Sequence, residues 1–84
     1  MRLRENDLVW REIDGETVLL DLATSKYLVT NRTGTFVLGL LATQQDHDSL
    51  ISALAERFEI STEVATADVD AFLATLRDRN LLAS

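Results

Sequence analysis

The pattern of apolar and polar positions begins with two β-rich stretches, Leu8–Ile13 and residues 17–22, which flank the pair Asp14-Gly15. An Asp-Gly pair between such stretches is typical of a β-hairpin, because a type I′ turn needs positive φ at both central residues. The second stretch has two different faces, with Val18, Leu20 and Leu22 on one and Thr17, Leu19 and Asp21 on the other.

A second turn, residues 23–26, leads to a third apolar stretch, Tyr27-Leu28-Val29. This stretch is short, as edge strands often are. We therefore predict a three-stranded antiparallel meander whose third strand lies at an edge of the sheet.

Three amphipathic helices are predicted after the strands. Asn31, Asp46 and Ser61 are the predicted N-caps, because their side-chain oxygens can accept hydrogen bonds from early helix amides. Asn80 is the predicted end of the third helix, since asparagine tolerates positive φ. The apolar positions with helical spacing are Phe36, Val37, Leu40 and Leu41 in the first helix, Leu50, Ile51, Leu54 and Phe58 in the second, and Ala65, Val69, Phe72, Leu73 and Leu76 in the third.

This order of elements predicts one α+β domain over residues 1–84, winged helix-turn-helix-like, with a three-stranded antiparallel sheet followed by three helices. Cysteine is absent, which excludes a disulfide framework and thiolate metal sites. The charged N-terminus has no apolar signal core behind it, and no apolar run approaches the length of a membrane span. We therefore expect a cytoplasmic protein without a membrane partner.

The formal net charge of −6 bears directly on the choice of partner. Winged-helix domains often bind DNA, and nucleic-acid affinity rests on clustered lysine and arginine side chains that neutralise phosphates. Here the eight basic residues are scattered, and Lys26 is the sole lysine. We expect no nucleic-acid partner, and a winged-helix DNA-binding regulator is the less favoured alternative.

Groups suited to catalysis or metal binding are sparse. His47 is the sole histidine, and with Asp46 and Asp48 it lacks the ligand spacing that metal sites show. The three glycines are isolated, which excludes a glycine-rich phosphate loop. We therefore expect no enzymatic activity, no cofactor and no metal.

An edge strand beside a helix can capture an extended peptide, because the guest adds as a strand and its side chains enter the groove. Tyr27 begins the edge strand and is either a half-buried strand aromatic or one wall of that groove. Small or short side chains flank the apolar stripe of the third helix, namely Val64, Ala67, Asp68, Ala71 and Thr75. Such a flank is either close packing or a trough for apolar anchors of a guest. The same edge can also pair with itself and give a homodimer in the free state.

A series of short motifs resembles the PqqD-like family. The motifs are Leu19-Leu20-Asp21-Leu22, Tyr27-Leu28-Val29-Thr30-Asn31, Thr33-Gly34, Val37, Leu40-Leu41, Ala53-Leu54-Ala55-Glu56-Arg57-Phe58, Asp68-Val69, Phe72-Leu73, Leu76 and Leu81-Leu82. Their order and spacing give the resemblance its specificity. The chain departs from the family at Leu38, where members often have tryptophan, and at Asn80, where many have glycine.

The family comprises the recognition elements of ribosomally synthesised and post-translationally modified peptides (RiPPs). The resemblance implies that the leader region of a precursor peptide adds to the third strand and lies beside the third helix. On this chain it implies contacts from Lys26, Tyr27, Leu28 and Val29 on the strand, and from Val64, Ala67, Asp68, Ala71, Phe72 and Thr75 on the helix.

The resemblance also implies a role without catalysis, as an adaptor that presents the leader to a modifying enzyme. We expect no fused enzyme domain, and members of this length in lasso-peptide pathways work with a separate leader peptidase and a cyclase. Other members of this kind serve quinone-cofactor biosynthesis with a radical enzyme. A PqqD-type peptide chaperone of that or another RiPP pathway is therefore the alternative function.

Overall fold

The computed structural model describes residues 1–83 of the chain. Three strands form an antiparallel sheet in the order β1-β2-β3, and three helices follow them. The strands are β1 (Leu8–Ile13), β2 (Glu16–Asp21) and β3 (Lys26–Thr30), and the helices are α1 (Arg32–Leu40), α2 (His47–Phe58) and α3 (Thr62–Asp78). The predicted α+β order is confirmed, and β3 lies at an edge of the sheet.

The hairpin between β1 and β2 has the predicted backbone. Asp14 and Gly15 have φ angles of 54° and 82°, the positive values that a type I′ turn requires at its two central positions. The turn places Ile13 opposite Glu16 and so sets the pairing of the two strands.

All three predicted N-caps are confirmed. The side chains of Asn31, Asp46 and Ser61 accept hydrogen bonds from the amides of Gly34, Ser49 and Val64, respectively. Hydrogen bonds from the Ser49 amide and hydroxyl hold the pKa of the Asp46 carboxyl below its usual value, because they favour the ionised form.

The end of α3 confirms the predicted role of Asn80, which adopts the left-handed conformation at φ 58°. The Leu81 amide donates to the Leu76 carbonyl at 2.8 Å, and the Asn80 amide donates to the Arg77 carbonyl at 2.9 Å. These two bonds define a Schellman motif, which reverses the chain direction. Leu81 is thereby buried against the core.

The core lies between the sheet and the helices and largely follows the predicted stripes. In α1, Leu38 is buried although it was not placed on the stripe, and Phe36 and Leu40, like Phe58 of α2, are half-buried against the core. Its largest fully buried side chains are Leu19, Val37, Leu41, Leu50, Leu54, Val69, Leu73 and Leu76. Phe72, which we predicted on the core face of α3, is half-buried; it packs against the core and also borders a cavity. No helix among residues 1–83 combines the length and the hydropathy that crossing a membrane requires.

The helices cover the less apolar face of β2. Thr17, Leu19 and Asp21 are buried, while Val18 is exposed. The cross-strand register places Val9, Leu20 and Tyr27 in one row on the side away from the helices, and Val18 pairs with Val29 on the same side. We call this side of the sheet the outer face.

The polar groups beneath the sheet are hydrogen-bonded to one another. The Thr17 hydroxyl donates to the Thr35 hydroxyl at 2.8 Å, and the Thr30 and Thr35 hydroxyls lie 3.1 Å apart. The Arg4 guanidinium binds the Asp21 carboxylate at 2.6 Å. Among residues 1–83, no buried side-chain nitrogen or oxygen lacks a partner.

The ionised form of Asp21 is favoured despite its burial. Burial alone raises the pKa of the carboxyl, but hydrogen bonds from Arg4, the Ala23 amide and the Thr24 hydroxyl together outweigh that effect. The pKa of Asp21 therefore lies below its usual value, and the ion pair with Arg4 persists at neutral pH.

Candidate functional site

A cleft runs between the free edge of β3 and one face of α3. The helix α3 runs antiparallel to β3. Asp68, in the first half of α3, therefore shares a cavity with Asn31, which follows β3. Arg79, at the end of α3, contacts Tyr27 near the start of β3. We call this feature the strand–helix cleft. It contains two cavities.

The first cavity, of about 270 Å³, lies where β3 gives way to α1, and we call it the α1-side cavity. Four of the predicted site residues border it, namely Asp68, Ala71, Phe72 and Thr75. Asn31, Thr33 and Gly34 form its opposite wall. The combination of a phenylalanine edge with small side chains suits an apolar anchor of a guest molecule.

The second cavity, of about 410 Å³, lies beside the turn between β2 and β3, and we call it the α3-end cavity. Lys26, Tyr27 and Leu28 border it from the strand. Asp78 and Arg79 border it from the end of α3. This cavity brings the predicted strand residues together with a charged segment that the sequence analysis did not single out.

Gly34 allows the close packing that shapes the α1-side cavity. A Cβ atom at this position would lie 2.9 Å from Thr30 Cβ and 3.1 Å from Phe72 Cε1. Such distances are shorter than ordinary van der Waals contact, so any larger residue would push β3, α1 and Phe72 apart. Thr30 also belongs to the hydroxyl network beneath the sheet and cannot move freely.

Substitution Gly34→Ala is expected to lower the free energy of unfolding by about 1 kcal/mol, because overpacking of ~1–3 kcal/mol exceeds the gain in helix propensity. Gly39→Ala is the matched control in the same helix, since no atom lies within 4 Å of a Cβ added there. The control should gain up to ~1 kcal/mol. Thermal unfolding followed by circular dichroism compares the two, and equal midpoints would contradict the role of Gly34.

The backbone of β3 keeps hydrogen-bonding groups at its free edge. The Arg79 guanidinium donates to the Tyr27 carbonyl at 3.0 Å, so this carbonyl points off the edge toward α3. Residues two apart in a strand present their backbone groups to the same side. The amide and carbonyl of Val29 therefore share this direction, and an added strand can pair with both residues.

Three predicted site residues border neither cavity. Val29 lies on the outer face with 56% of its surface exposed, and it takes part in the cleft only through its backbone. Val64 and Ala67 are exposed on α3 beyond the cavity walls. Arg79 and Gly34 were missed as site residues because their roles depend on contacts with distant parts of the chain, which no local pattern indicates.

Charge is unevenly distributed along the cleft. Asp68 is the charged residue of the α1-side cavity. At the α3-end cavity, Lys26 and Arg79 face the carboxylates of Asp78 and Asp21, of which Asp21 is neutralised by Arg4. The cleft is therefore negative at one end and carries a net positive charge at the other.

Among residues 1–83, no three His, Asp or Glu side chains lie close enough together to hold a metal ion. His47 begins α2, and its Nε2 lies 2.5 Å from the Asp70 carboxylate of α3. This exposed pair connects two helices at a place outside the cleft.

Comparison with known proteins gives one family and two structures. The family model described as coenzyme PQQ synthesis protein D (PqqD) matches residues 16–82. The structure of TbiB1 in complex with the TbiA(beta) leader peptide is 25% identical, with a TM-score of 0.86 over 100% of this chain and 96% of that chain. The structure of lasso peptide synthetase B1 complexed with the leader peptide is 22% identical, with a TM-score of 0.79 over 95% of this chain and 93% of that chain. At this identity the similarity establishes a shared fold. No curated protein sequence matches significantly.

Proposed function

Because this chain belongs to the PqqD family, we propose that it is a non-catalytic adaptor that binds the leader region of a ribosomally synthesised precursor peptide, with residues 1–84 acting as one recognition domain. The observation that carries the proposal is the free edge of β3 beside the strand–helix cleft. TbiB1, whose structure was determined with a leader peptide, has the same fold over nearly its whole length, which supports this choice of ligand.

The leader adds as a strand to β3 in this proposal. The edge groups of Tyr27 and Val29 are available to a guest backbone once Arg79 gives up the Tyr27 carbonyl. Backbone pairing of this kind fixes the register of the guest but does not distinguish one sequence from another. Specificity must therefore come from the guest side chains that enter the cleft.

The two cavities supply that specificity. Alternate guest residues point into the cleft, where Ala71 and Phe72 receive one apolar anchor and Leu28 receives another. Asp68 pairs with a basic or hydroxyl group of the guest, and Thr75 lies beside it on the cavity wall. Val64 and Ala67 flank the cleft and contact only a guest that extends beyond the α1-side cavity.

Affinity arises from the apolar part of this contact. Burial of roughly 300 Å² of apolar surface contributes about 7 kcal/mol before the cost of ordering a flexible leader is subtracted. A free energy of about 7 kcal/mol would correspond to a dissociation constant of ~10 µM. Ordering the leader costs ~2 kcal/mol or more, which weakens binding by ~30-fold or more, so hydrogen bonds at the strand edge must supply part of the affinity.

The bound leader is presented to separate enzymes, a leader peptidase and a cyclase of a lasso-peptide pathway. The two similar structures, both leader-peptide complexes and one of them a lasso peptide synthetase B1, support this pathway. A guest at the β3 edge leaves the outer face of the sheet exposed, so a further protein can approach the complex from that side. The family model instead favours a PqqD-type peptide chaperone in quinone-cofactor biosynthesis as the second candidate.

Titration of a fluorescent leader peptide into the purified protein tests the proposal, with the leader taken from a short reading frame beside the gene. We expect saturable binding. We also expect the peptidase of the same gene cluster to cleave that precursor faster in the presence of this protein than in its absence. A scrambled leader of identical composition is the control for unspecific binding.

Absence of binding by the folded protein would overturn the adaptor function. Sedimentation of the free protein would then show whether the β3 edge pairs with a second copy, which is the homodimer alternative. Binding without faster cleavage would retain leader recognition and remove the lasso-pathway assignment.

A further inference from the structure

Arg79 closes the cleft at the end of α3. Its guanidinium reaches 52 residues back along the chain to the Tyr27 carbonyl, at 3.0 Å. A guest strand that pairs with Tyr27 needs this same carbonyl as an acceptor for one of its own amides. The guanidinium and the guest therefore compete for one atom, and docking of the guest releases Arg79 beside it.

The released guanidinium would lie in a cavity with few compensating charges. Among residues 1–83, neither Arg79 nor Lys26 forms a salt bridge, whereas Asp21 is already paired with Arg4. Asp78 is then the one carboxylate available to two cations at this cavity. A protein with a net charge of −6 thus presents an excess positive charge at this end of its cleft.

We propose that Arg79 is a specificity-determining residue, which holds the Tyr27 carbonyl in the free protein and binds an acidic side chain of the guest once the guest strand has taken that carbonyl. The inference rests on the proposed function and adds a chemical requirement to it. The guest is a peptide with an aspartate or glutamate beside the residue that pairs with Tyr27. Arginine suits this role because its planar guanidinium can bind a carboxylate through two parallel hydrogen bonds.

The opposite charge at the other end of the cleft sets a spacing in the guest. Asp68 and Arg79 are about 16 Å apart along α3 at 1.5 Å per residue. An extended guest rises ~3.3 Å per residue and only alternate side chains enter the cleft, so the guest acid and the residue that meets Asp68 lie roughly four or six positions apart. This spacing restricts the register in which one leader fits the cleft.

A double-mutant cycle tests the role of Arg79. The probe is the leader peptide from the reading frame beside the gene, with each aspartate or glutamate replaced in turn by its amide. Binding is measured for the wild type, Arg79→Gln and Arg77→Gln. Arg77 is the matched control, because it is an exposed arginine in the last turn of the same helix and the substitution changes the net charge equally.

We expect one acidic position of the leader whose amide variant binds ~10-fold more weakly to the wild type and to Arg77→Gln, as a charge-assisted hydrogen bond requires. In Arg79→Gln, the same amide substitution in the leader should change the affinity less than ~2-fold. The difference between the wild type and Arg79→Gln in this effect should shrink at high salt. Arg79→Gln should bind the amide variant at least as tightly as the wild type does, because the Tyr27 carbonyl is already free.

Two results separate the failure of this inference from the failure of the proposed function. If the leader binds but lacks acidic residues, or if every amide variant affects Arg79→Gln and Arg77→Gln equally, the role of Arg79 is wrong and leader binding stands. If the folded wild-type protein does not bind the leader, both proposals fall.

Discussion

Arginine in place of Ala71 is expected to weaken leader binding by ~50-fold or more without unfolding the protein. Ala71 is exposed on α3 and borders the α1-side cavity, so a long side chain there fills the space that an apolar anchor of the guest would enter. Loss of about 100 Å² of apolar burial corresponds to ~2.5 kcal/mol at ~25 cal/mol/Å². Alanine and arginine are both strong helix formers, which keeps α3 intact.

The matched control is Ala74→Arg. Ala74 is also an exposed alanine of α3, but it borders neither cavity of the cleft. Fluorescence anisotropy with the labelled leader should show unchanged affinity for this variant, and circular dichroism should show the same helix content for both. Equal affinities of the two arginine variants would place the leader somewhere other than the α1-side cavity.

The substitution Val29→Pro is expected on its own to weaken leader binding by ~10-fold or more, because proline lacks the backbone amide that strand addition requires as a donor. Val29 is suited to this test for two reasons. Its side chain is exposed on the outer face, so little packing is lost. Its amide points to the free edge, and proline is tolerated in edge strands where that amide is not bonded to a neighbouring strand.

Val29→Thr is the companion variant, since it keeps the amide and a β-branched side chain. The threonine variant should bind the leader like the wild type, and isothermal titration calorimetry can compare all three proteins. Unchanged affinity of a folded Val29→Pro variant would show that the leader does not extend the sheet, even if it occupies the cleft. The pair of substitutions at Ala71 and Val29 therefore separates the side-chain contribution from the backbone contribution.

The elements that depend on local chemistry could be predicted from the sequence. Asn31, Asp46 and Ser61 each act through an amide three residues away, so their positions alone indicate where the helices begin. Asp14-Gly15 and Asn80 act in the same local way, through the sign of φ. The edge position of β3 followed from its shortness and from its place after the hairpin.

The detailed shape of the cleft could not be predicted, because it depends on contacts between distant residues. Gly34 matters through its distances to Thr30 and Phe72, and neither distance leaves a trace in the local pattern. Arg79 reaches Tyr27 only because the Schellman motif fixes where α3 ends. The division of the cleft into two cavities places Leu28 and Phe72 on the walls of different cavities.

The buried face of β2 shows a further limit of hydrophobic pattern. Val18 and Leu20 form the more apolar face, yet the helices cover Thr17, Leu19 and Asp21. Hydrophobicity alone would favour the opposite choice. Hydrogen bonds between the threonine hydroxyls and the ion pair of Asp21 with Arg4 compensate for the burial of these polar groups.

These buried polar contacts also disfavour a wrong register of β2 in the sheet. A slip of β2 by one residue would exchange its two faces, and the slipped sheet would bury more apolar surface than the native one. It would also leave the Thr35 hydroxyl without its Thr17 partner and the Arg4 guanidinium without its carboxylate, at a cost that apolar burial must overcome. A sequence with an entirely apolar interior would lose that penalty, so the polar groups beneath the sheet select the native alignment over one that hydrophobicity alone would favour.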